Sequence, residues 1–251
     1  MKHVVLLSGG LDSVVTMYYA AKMWPVDTIH PLFVMYGQVN RHNERGAAER
    51  AVGQCYKMFG SRVRPLKIML LDGLIGSSMV GGEIPKDRKG LALKEIPSTY
   101  VPARNVVLLS LAYSYAEALK AHMVHIGFSG QGQESVIGWR VKNGKVTAIK
   151  PASFPDCSAE FANSFQATMR IAANGFPPML QTPLLEKSKP EIIRLGRELG
   201  VNVSETWSCF DSGRYEENGD VLSVSPCGRC DACGIRLRAF ELAKAVAVDS
   251  R

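Results

Sequence analysis

Six consecutive residues near the start of the chain, Ser8-Gly9-Gly10-Leu11-Asp12-Ser13, combine residue types that bind phosphate. They stand between a short apolar run and a helical segment. A glycine at such a turn can adopt positive φ and lets the backbone approach a ligand closely. The N–H groups that open the following helix attract an anion. Because a carboxylate is a poor phosphate ligand, we expect Asp12 to hold a Mg²⁺ that the phosphates also bind. The alternative is an ordinary Gly-Gly turn with Asp12 or Ser13 as a helix N-cap, but the full pattern favours nucleotide binding.

A cysteine cluster stands near the end of the chain. Cys227, Cys230 and Cys233 form a C-x-x-C-x-x-C pattern, and Cys209 lies eighteen residues before the first of them. Two residues between cysteines let one turn present both sulfur atoms to a metal, and a distant fourth thiolate completes a tetrahedral site. With four protein ligands no position stays open for catalysis, so we expect a structural Zn²⁺. An iron–sulfur cluster and a set of buried thiols without metal are the alternatives.

Other candidate side chains carry weaker signals. Cys157 ends the turn-like segment Phe154-Pro155-Asp156-Cys157. A nucleophilic role is one interpretation, but no partner base can be named, so we favour a structural or substrate-shaping role. Cys55, inside a predicted helix, fits a small core residue. We interpret His42 as a surface or capping residue.

The elements that must position these residues alternate between strand and helix. Such alternation predicts a doubly wound parallel sheet of the α/β class, with ligands at the carboxyl ends of the strands. The loop at Ser8, the turn at Tyr36 and the segment after Gly127 should then share one rim. The predicted strands are 3–7, 27–35, 63–70 and 123–127; the predicted helices are 14–21, 40–59, 106–120, 161–173 and 189–199.

Two further segments are predicted to depart from this alternation. The stretch 72–101 is rich in glycine, proline and charge, and we interpret it as a lid or partner-contacting loop. In the stretch 138–149, Asn143-Gly144 lies between alternating residues and predicts a β-hairpin. We expect a nucleotide-binding domain over residues 1–204, with this hairpin inserted, and a zinc-binding module with a C-terminal helix over residues 205–251.

Composition limits the classes of function. The chain has 251 residues, 46% of them hydrophobic, and a formal net charge of +7, which suits anionic ligands. No apolar run reaches the ~18 residues of a membrane span, and no signal-peptide pattern is present, so we expect a cytoplasmic protein without a membrane partner. Aromatic and basic residues are not interleaved in any one segment, which argues against a nucleic-acid partner.

The first loop is similar to the PP-loop of the N-type ATP pyrophosphatases, which are adenine nucleotide alpha hydrolase-like proteins. Together with further stretches, it makes the chain resemble the 7-cyano-7-deazaguanine synthase (QueC) family over nearly its whole length. The stretches are Leu6–Ser13; Tyr36-Gly37-Gln38 with Arg41, His42 and Glu44; 99–105; 154–157; 182–184; 205–209; and Cys227–Cys233.

The resemblance implies a ligase that converts 7-carboxy-7-deazaguanine and ammonia to 7-cyano-7-deazaguanine, a precursor of queuosine. One ATP would adenylate the carboxylate and release pyrophosphate, and ammonia would then give the amide. A second ATP would activate the amide oxygen, and loss of AMP would give the nitrile. The cofactors implied are ATP, Mg²⁺ and structural Zn²⁺, and a homodimer is expected.

The resemblance also implies roles for individual residues. Arg104, a planar donor that suits a carboxylate or phosphate, is implied to be catalytic together with Asp12 and Lys187. The residues implied to contact the deazaguanine are Phe154, Asp156 and Cys157, and Cys209, Cys227, Cys230 and Cys233 are implied as metal ligands. The nucleotide-binding set is Leu7, Ser8, Gly9, Gly10, Leu11, Asp12, Ser13, Tyr36, Gly37, Gln38, Arg104 and Asn105.

Two stretches depart from the family pattern. Val39-Asn40 separate Gln38 from Arg41-His42, which follow the glutamine directly in the family pattern. The stretch 129–153 is longer than the corresponding turn of the family, and the turn ends in Ser158 where arginine is typical. A related ligase that joins the activated deazaguanine to another amine, such as a protein acceptor, would fit the same chemistry. A tRNA thiolation enzyme shares the loop but would need a persulfide-carrying cysteine pair. A zinc-ribbon nucleic-acid-binding protein is the remaining alternative.

Overall fold

A five-stranded parallel sheet lies at the centre of the molecule. The computed structural model describes residues 1–87, 97–129, 138–142, 145–149, 155–218 and 221–245. The strands are β1 Lys2–Leu6, β2 Thr28–Met35, β3 Lys67–Leu70, β4 Met123–His125, β5 Gly138–Lys142, β6 Lys145–Ile149, β7 Met179–Gln181, β8 Arg214–Asn218 and β9 Val221–Ser225. The sheet has the order β3-β2-β1-β4-β7, and every neighbouring pair is parallel.

The sheet is doubly wound, as predicted. The helices are α1 Leu11–Met23, α2 Arg41–Phe59, α3 Arg104–Leu119, α4 Ala159–Ala172, α5 Lys189–Glu198 and α6 Asp231–Ala245. Central β1 alternates its apolar side chains between the two faces: Val5 packs with α1, α2, α5 and α6, whereas Val4 and Leu6 pack with α3 and α4. Burial on both faces explains why β1 is apolar throughout Val4–Leu6.

The third strand is shorter than the predicted 63–70. Only Lys67–Leu70 pairs continuously with β2, and Val63 forms an isolated bridge to Ile29. Pro65 lacks the backbone N–H that a ladder needs, which accounts for the interruption. The prediction of one continuous strand here was wrong.

The C-terminal helix packs into the main core. Ala239 and Ala243 of α6 are buried in the same apolar cluster as Ile192 of α5 and Val15 of α1. Both are small residues, so the backbone of α6 can approach the other helices closely. The strands β8 and β9, which the sequence did not predict, pair as an antiparallel hairpin between Cys209 and Cys227.

The described part of the long segment after β3 packs against the cysteine cluster. Met79 and Ile84 are buried together with Val101, Trp207 and all four cysteines of the cluster. Residues 88–96 of the predicted lid lie outside the described residues. The strands β5 and β6 pair antiparallel with Gly138 opposite Ile149, and the Asn143-Gly144 turn between them lies outside the described residues. No described helix combines the length and the apolar character that crossing a membrane requires.

Candidate active site

One cavity of about 560 Å³ opens at the carboxyl ends of the central strands. Its wall includes Ser8, Tyr36 and Gly127, so the three segments expected to share a rim do line one space. The floor between them is apolar and is formed by Leu6, Leu32, Val34, Leu108 and Ile126. Residues from the C-terminal part of the chain also line it, namely Trp207, Ser208, Phe210, Ala232, Ile235, Arg236 and Ala239.

The loop Ser8–Ser13 is held in shape by its own hydroxyl groups. The Ser8 backbone N–H donates to Ser13 Oγ over 3.1 Å, and Ser13 Oγ donates to the Gly10 carbonyl oxygen over 3.0 Å. Gly10 is the N-cap of α1, and no side chain caps the helix there. The first N–H groups of α1 therefore remain available to an anion in the cavity.

Position 9 favours glycine for two reasons: its backbone conformation and the lack of space for a Cβ. Its φ is +79°, and a Cβ at this position would lie 2.3 Å from the Glu44 carbonyl oxygen and 2.8 Å from the Ala48 nitrogen. The loop is thus pressed against the first turns of α2. Neither Gly9 nor Gly37, which has a φ of +85°, lines the cavity, whereas the other ten predicted nucleotide-binding residues do.

One carboxylate oxygen of Asp12 accepts hydrogen bonds, and the other has no hydrogen-bond partner. Its Oδ2 accepts hydrogen bonds from Ser129 Oγ, at 3.1 Å, and from the Lys189 ammonium group. Its Oδ1 is buried without a partner. Gly127 makes this arrangement possible, because a Cβ there would lie 2.8–2.9 Å from backbone atoms of Asp12 and Ser13.

The lysine that contacts Asp12 is Lys189, which the sequence analysis did not single out. Lys187 lines the cavity, but Lys189 bonds both Asp12 and Ser129 Oγ, the latter at 2.8 Å. Ser188 and Glu191 form a capping box, so α5 begins at Lys189. The S-x-x-E pattern is a sequence signal for this boundary and could have directed attention to Lys189.

Arg104 lies beside the turn that follows β2. Its Nη1 is 3.4 Å from the Tyr36 hydroxyl oxygen. The Gln38 side chain accepts a hydrogen bond from the Tyr36 N–H at 2.8 Å and donates one to Glu44 Oε2 at 3.1 Å. Gln38 thus positions two neighbours, and Glu44, which sequence reasoning did not assign to the site, lines the cavity with them.

Asp156 and Cys157 meet the start of α3. The Asn105 N–H donates to Asp156 Oδ2 at 3.2 Å, and Asn105 Nδ2 donates to the Asp156 carbonyl oxygen and to Cys157 Sγ. Asp156 is buried and is not part of the cavity wall, while Cys157 is. Burial raises the pKa of the Cys157 thiol to about 12, which disfavours the thiolate that a nucleophile needs. Phe154 lies outside the described residues.

The four predicted metal ligands come together. The Sγ atoms of Cys209, Cys227, Cys230 and Cys233 are buried and lie within 4.8 Å of one another. Cys209 Sγ and Cys230 Sγ are 3.9 Å apart. Two sulfur atoms bound at 2.3 Å to one tetrahedral Zn²⁺ would be separated by about 3.8 Å. The donor set therefore fits a single zinc ion.

Two of the remaining candidates, Cys55 and His42, do not line the cavity. Cys55 is fully buried in the main core, as expected for a small core residue, and burial raises its pKa to about 12. His42 is exposed on α2. Arg236, in contrast, lines the cavity and donates hydrogen bonds to Thr206 Oγ1 and Ser208 Oγ at 2.7 and 3.0 Å.

A family model and individual relatives match this chain by sequence over most of its length. The family model described as "Queuosine biosynthesis protein QueC" matches residues 2–135 and 141–244. The 7-cyano-7-deazaguanine synthase of Thermosynechococcus vestitus is 35% identical over 244 residues, which covers 95% of this chain and 91% of that protein. The enzyme of the same name from Magnetococcus marinus is 37% identical over 244 residues, covering 96% and 92%. A solved 4-thiouridine synthetase–RNA complex with bound ATP superimposes with a TM-score of 0.48 and 16% identity, covering 98% of this chain and 51% of that one. The chain belongs to the QueC family of queuosine biosynthesis proteins.

Proposed function

We propose that this chain converts 7-carboxy-7-deazaguanine and ammonia to 7-cyano-7-deazaguanine with consumption of ATP. The names of its relatives, 7-cyano-7-deazaguanine synthase, support this product. The observation that carries the proposal is that one cavity combines an uncapped helix N-terminus, a carboxylate with an unpartnered oxygen, and Arg104. These groups suit a triphosphate, its metal ion and a substrate carboxylate, respectively.

ATP is proposed to bind with its phosphates on the loop Ser8–Ser13 and its adenine over the apolar floor of the cavity. The N–H groups at the start of α1 would face the phosphate oxygens. The unpartnered Oδ1 of Asp12 fits a Mg²⁺ ligand, and the bound ion would neutralise charge on the phosphates. Lys189 bonds Asp12 and keeps a positive charge at the same place, and Lys187 adds another charge in the cavity wall.

The proposed chemistry is carbon–nitrogen ligation through an adenylate. A carboxylate oxygen attacks the α-phosphorus of ATP, and pyrophosphate leaves. Ammonia then attacks the carbonyl carbon, and AMP leaves with the electron pair of the carbon–oxygen bond. In a second cycle the amide oxygen attacks another ATP, and loss of AMP yields the nitrile. Arg104 would orient the carboxylate through its planar donors, and Asn105 and Cys157 would shape the adjoining wall.

The cysteine cluster is proposed to hold one structural Zn²⁺. All four sulfur atoms would be used as ligands, so the ion would have no open position for a substrate. An iron–sulfur cluster places several metal atoms between its cysteine ligands, and the closeness of all four Sγ atoms, which lie within 4.8 Å of one another, favours a single ion. The metal would fix the loop that carries Trp207 and Ser208 in the cavity wall.

The test is a product analysis of the purified protein with 7-carboxy-7-deazaguanine, ATP, Mg²⁺ and ammonium. We expect the nitrile by mass spectrometry, together with AMP and pyrophosphate. Omission of ammonium should abolish both amide and nitrile, and Asp12→Ala serves as the inactive control. Absence of amide and nitrile in the complete reaction would contradict the proposal. Attachment of the deazaguanine to an added protein, seen as a mass increase, would instead favour a ligase with a protein acceptor.

We further propose that the chain acts as a homodimer in the cytoplasm. The proposal on assembly can be checked by light scattering of the purified protein at several concentrations. A mass of one chain, 27.4 kDa, at all concentrations would contradict it.

A further inference from the structure

A second carboxylate, that of Glu44, lines the cavity and is held by two amide side chains. Glu44 lies in the first turn of α2 and is partly exposed, on the cavity side. Its Oε2 accepts a hydrogen bond from Gln38 Nε2, and its Oε1 accepts one from Asn40 Nδ2, both at 3.1 Å. A carboxylate oxygen has two lone pairs, so each oxygen can still accept a proton or a further hydrogen bond.

The backbone of Glu44 packs against the loop assigned to the phosphates. The Glu44 carbonyl oxygen lies so close to Gly9 that a Cβ on that glycine would be 2.3 Å away. The side chain that leaves the same backbone unit lines the same cavity as Ser8, Asp12 and Ser13. An adenylate whose phosphate rests on the loop, as proposed, would therefore share this cavity with the Glu44 carboxylate.

Few other groups in the cavity wall could take up a proton. Asp12 and Glu44 are the only carboxylates among the described residues that line it. Asp12 is paired with Lys189. Burial raises the pKa of the Cys157 thiol to about 12 and raises that of the Tyr36 hydroxyl as well. Both groups therefore remain protonated near neutral pH, and Glu44 is left as the available base.

We propose that Glu44 is the general base that removes protons from the reacting nitrogen, an inference that rests on the proposed function. In amide formation the ammonia lone pair makes the carbon–nitrogen bond, AMP leaves with the carbon–oxygen electron pair, and Glu44 takes the excess N–H proton. In nitrile formation the O-adenylated amide loses its two N–H protons in turn. The electron pair of the last N–H bond completes the triple bond as AMP departs. After each transfer Glu44 passes its proton to water.

The surroundings of Glu44 suit such a role near neutral pH. Burial raises the pKa of Glu44 to about 7, against the opposing effects of the Gln38 and Asn40 hydrogen bonds and of the Arg104 charge. Arg104 on α3 and Tyr36 after β2 are the titratable groups beside it. Arg41 lies on its own helix turn, and Arg236 of α6 lines the same cavity. A base whose pKa lies close to the working pH is the most effective.

The experiment compares Glu44→Gln, Glu44→Asp and a control, Glu49→Gln. Glu49 is an exposed carboxylate on the same helix and pairs with Arg45. Three rates are measured for each protein: carboxylate-dependent exchange of labelled pyrophosphate into ATP, amide formation from ammonium, and nitrile formation from the amide supplied as substrate. The last rate is followed from pH 5.5 to 8.5.

We expect Glu44→Gln to retain pyrophosphate exchange within about threefold, because adenylation of the carboxylate needs no base. Amide and nitrile formation should fall by about 10²–10⁴-fold, and the rise in rate through pH 7 should disappear. Glu44→Asp should recover part of the activity and the pH dependence, and Glu49→Gln should match the wild type.

Two outcomes would overturn the inference. Nitrile formation by Glu44→Gln at the wild-type rate would show that another group accepts the proton. Loss of pyrophosphate exchange together with nitrile formation would show that Glu44 binds substrate or maintains the site instead. Failure of the wild-type protein to form nitrile would be a different result, since it contradicts the proposed function itself.

Discussion

The side-chain amide of Asn40 joins the cavity to the cysteine cluster. Its Nδ2 donates to the Cys209 carbonyl oxygen at 2.8 Å and to Glu44 Oε1 at 3.1 Å. Trp207 Nε1 donates to the same carbonyl oxygen at 2.9 Å. A shift of the Cys209 backbone would therefore alter two hydrogen bonds: one to Asn40, which also bonds Glu44, and one to Trp207 in the cavity wall.

Removal of one metal ligand should lower both stability and activity. We expect Cys230→Ser to lose the zinc and to unfold at a much lower temperature, because a four-cysteine zinc site contributes about 10–16 kcal/mol of binding free energy. Metal content by elemental analysis and a thermal melt measure the effect. Cys55→Ala is the matched control, since it removes a buried thiol from the core and should leave the zinc content unchanged. Retention of zinc and stability by Cys230→Ser would contradict the assigned cluster, and iron with labile sulfide would replace the zinc assignment.

The pair formed by Asp12 and Lys189 should be needed for adenylation. We expect Asp12→Asn and Lys189→Met each to reduce carboxylate-dependent pyrophosphate exchange by at least about 10²-fold, because each removes charge at the phosphates. Lys187→Met is the comparison, and its effect should be smaller because Lys189, not Lys187, bonds Asp12. Circular dichroism and zinc content should match the wild type in all three variants. A larger loss in Lys187→Met than in Lys189→Met would reverse the assignment.

Gly9→Ala should destabilise the protein. A left-handed conformation costs a residue with a Cβ about 1–2 kcal/mol, and the added atom would overlap the backbone of α2. We expect a loss of about 2–5 kcal/mol in the free energy of unfolding, measured by urea denaturation. Gly53→Ala in the exposed part of the same helix is the control: its Cβ would meet nothing within 4 Å. It should stabilise the protein by about 0.5–1 kcal/mol. Equal midpoints for the two variants would contradict this account of the loop.

Ionisation of the Glu44 carboxyl should lower the stability of the folded protein as the pH rises. Its pKa is about 7 in the folded protein and 4.5 in the reference state, so the folded state holds a proton more tightly than the unfolded state does. Below pH 4.5 the carboxyl is neutral in both states. Between pH 4.5 and 7 the unfolded state ionises first, and stability is lost until the folded state ionises as well.

The corresponding measurement compares the unfolding free energies of the wild type and Glu44→Gln. The variant cannot ionise at this position, so its advantage over the wild type should grow from pH 4.5 to pH 7 and stay constant above it. Glu49→Gln, on the exposed face of α2, should show no such growth. A pH-independent difference between Glu44→Gln and the wild type would contradict the raised pKa.

The sequence by itself determined the doubly wound sheet, the phosphate-type loop and the cysteine set. These follow from local patterns: apolar runs of strand length, alternating helices, and motifs such as S-G-G-x-D-S whose residues are adjacent along the chain. The four cysteines could be grouped because three share one turn. β3 was misjudged because Pro65 interrupts a pattern whose apolar content still looked continuous.

Only the tertiary structure decided which side chains face the cavity. Lys187 and Lys189 are both basic and only two residues apart, and the start of α5 at its capping box determines which of them reaches Asp12. Asp156 shares a motif with Cys157, yet it bonds the first turn of α3 and leaves Cys157 alone to line the cavity. Glu44 lies in a helix with many charged residues. It becomes distinct because α2 packs on Gly9 and that one carboxylate lines the cavity, and such packing between distant segments is not encoded in any local pattern.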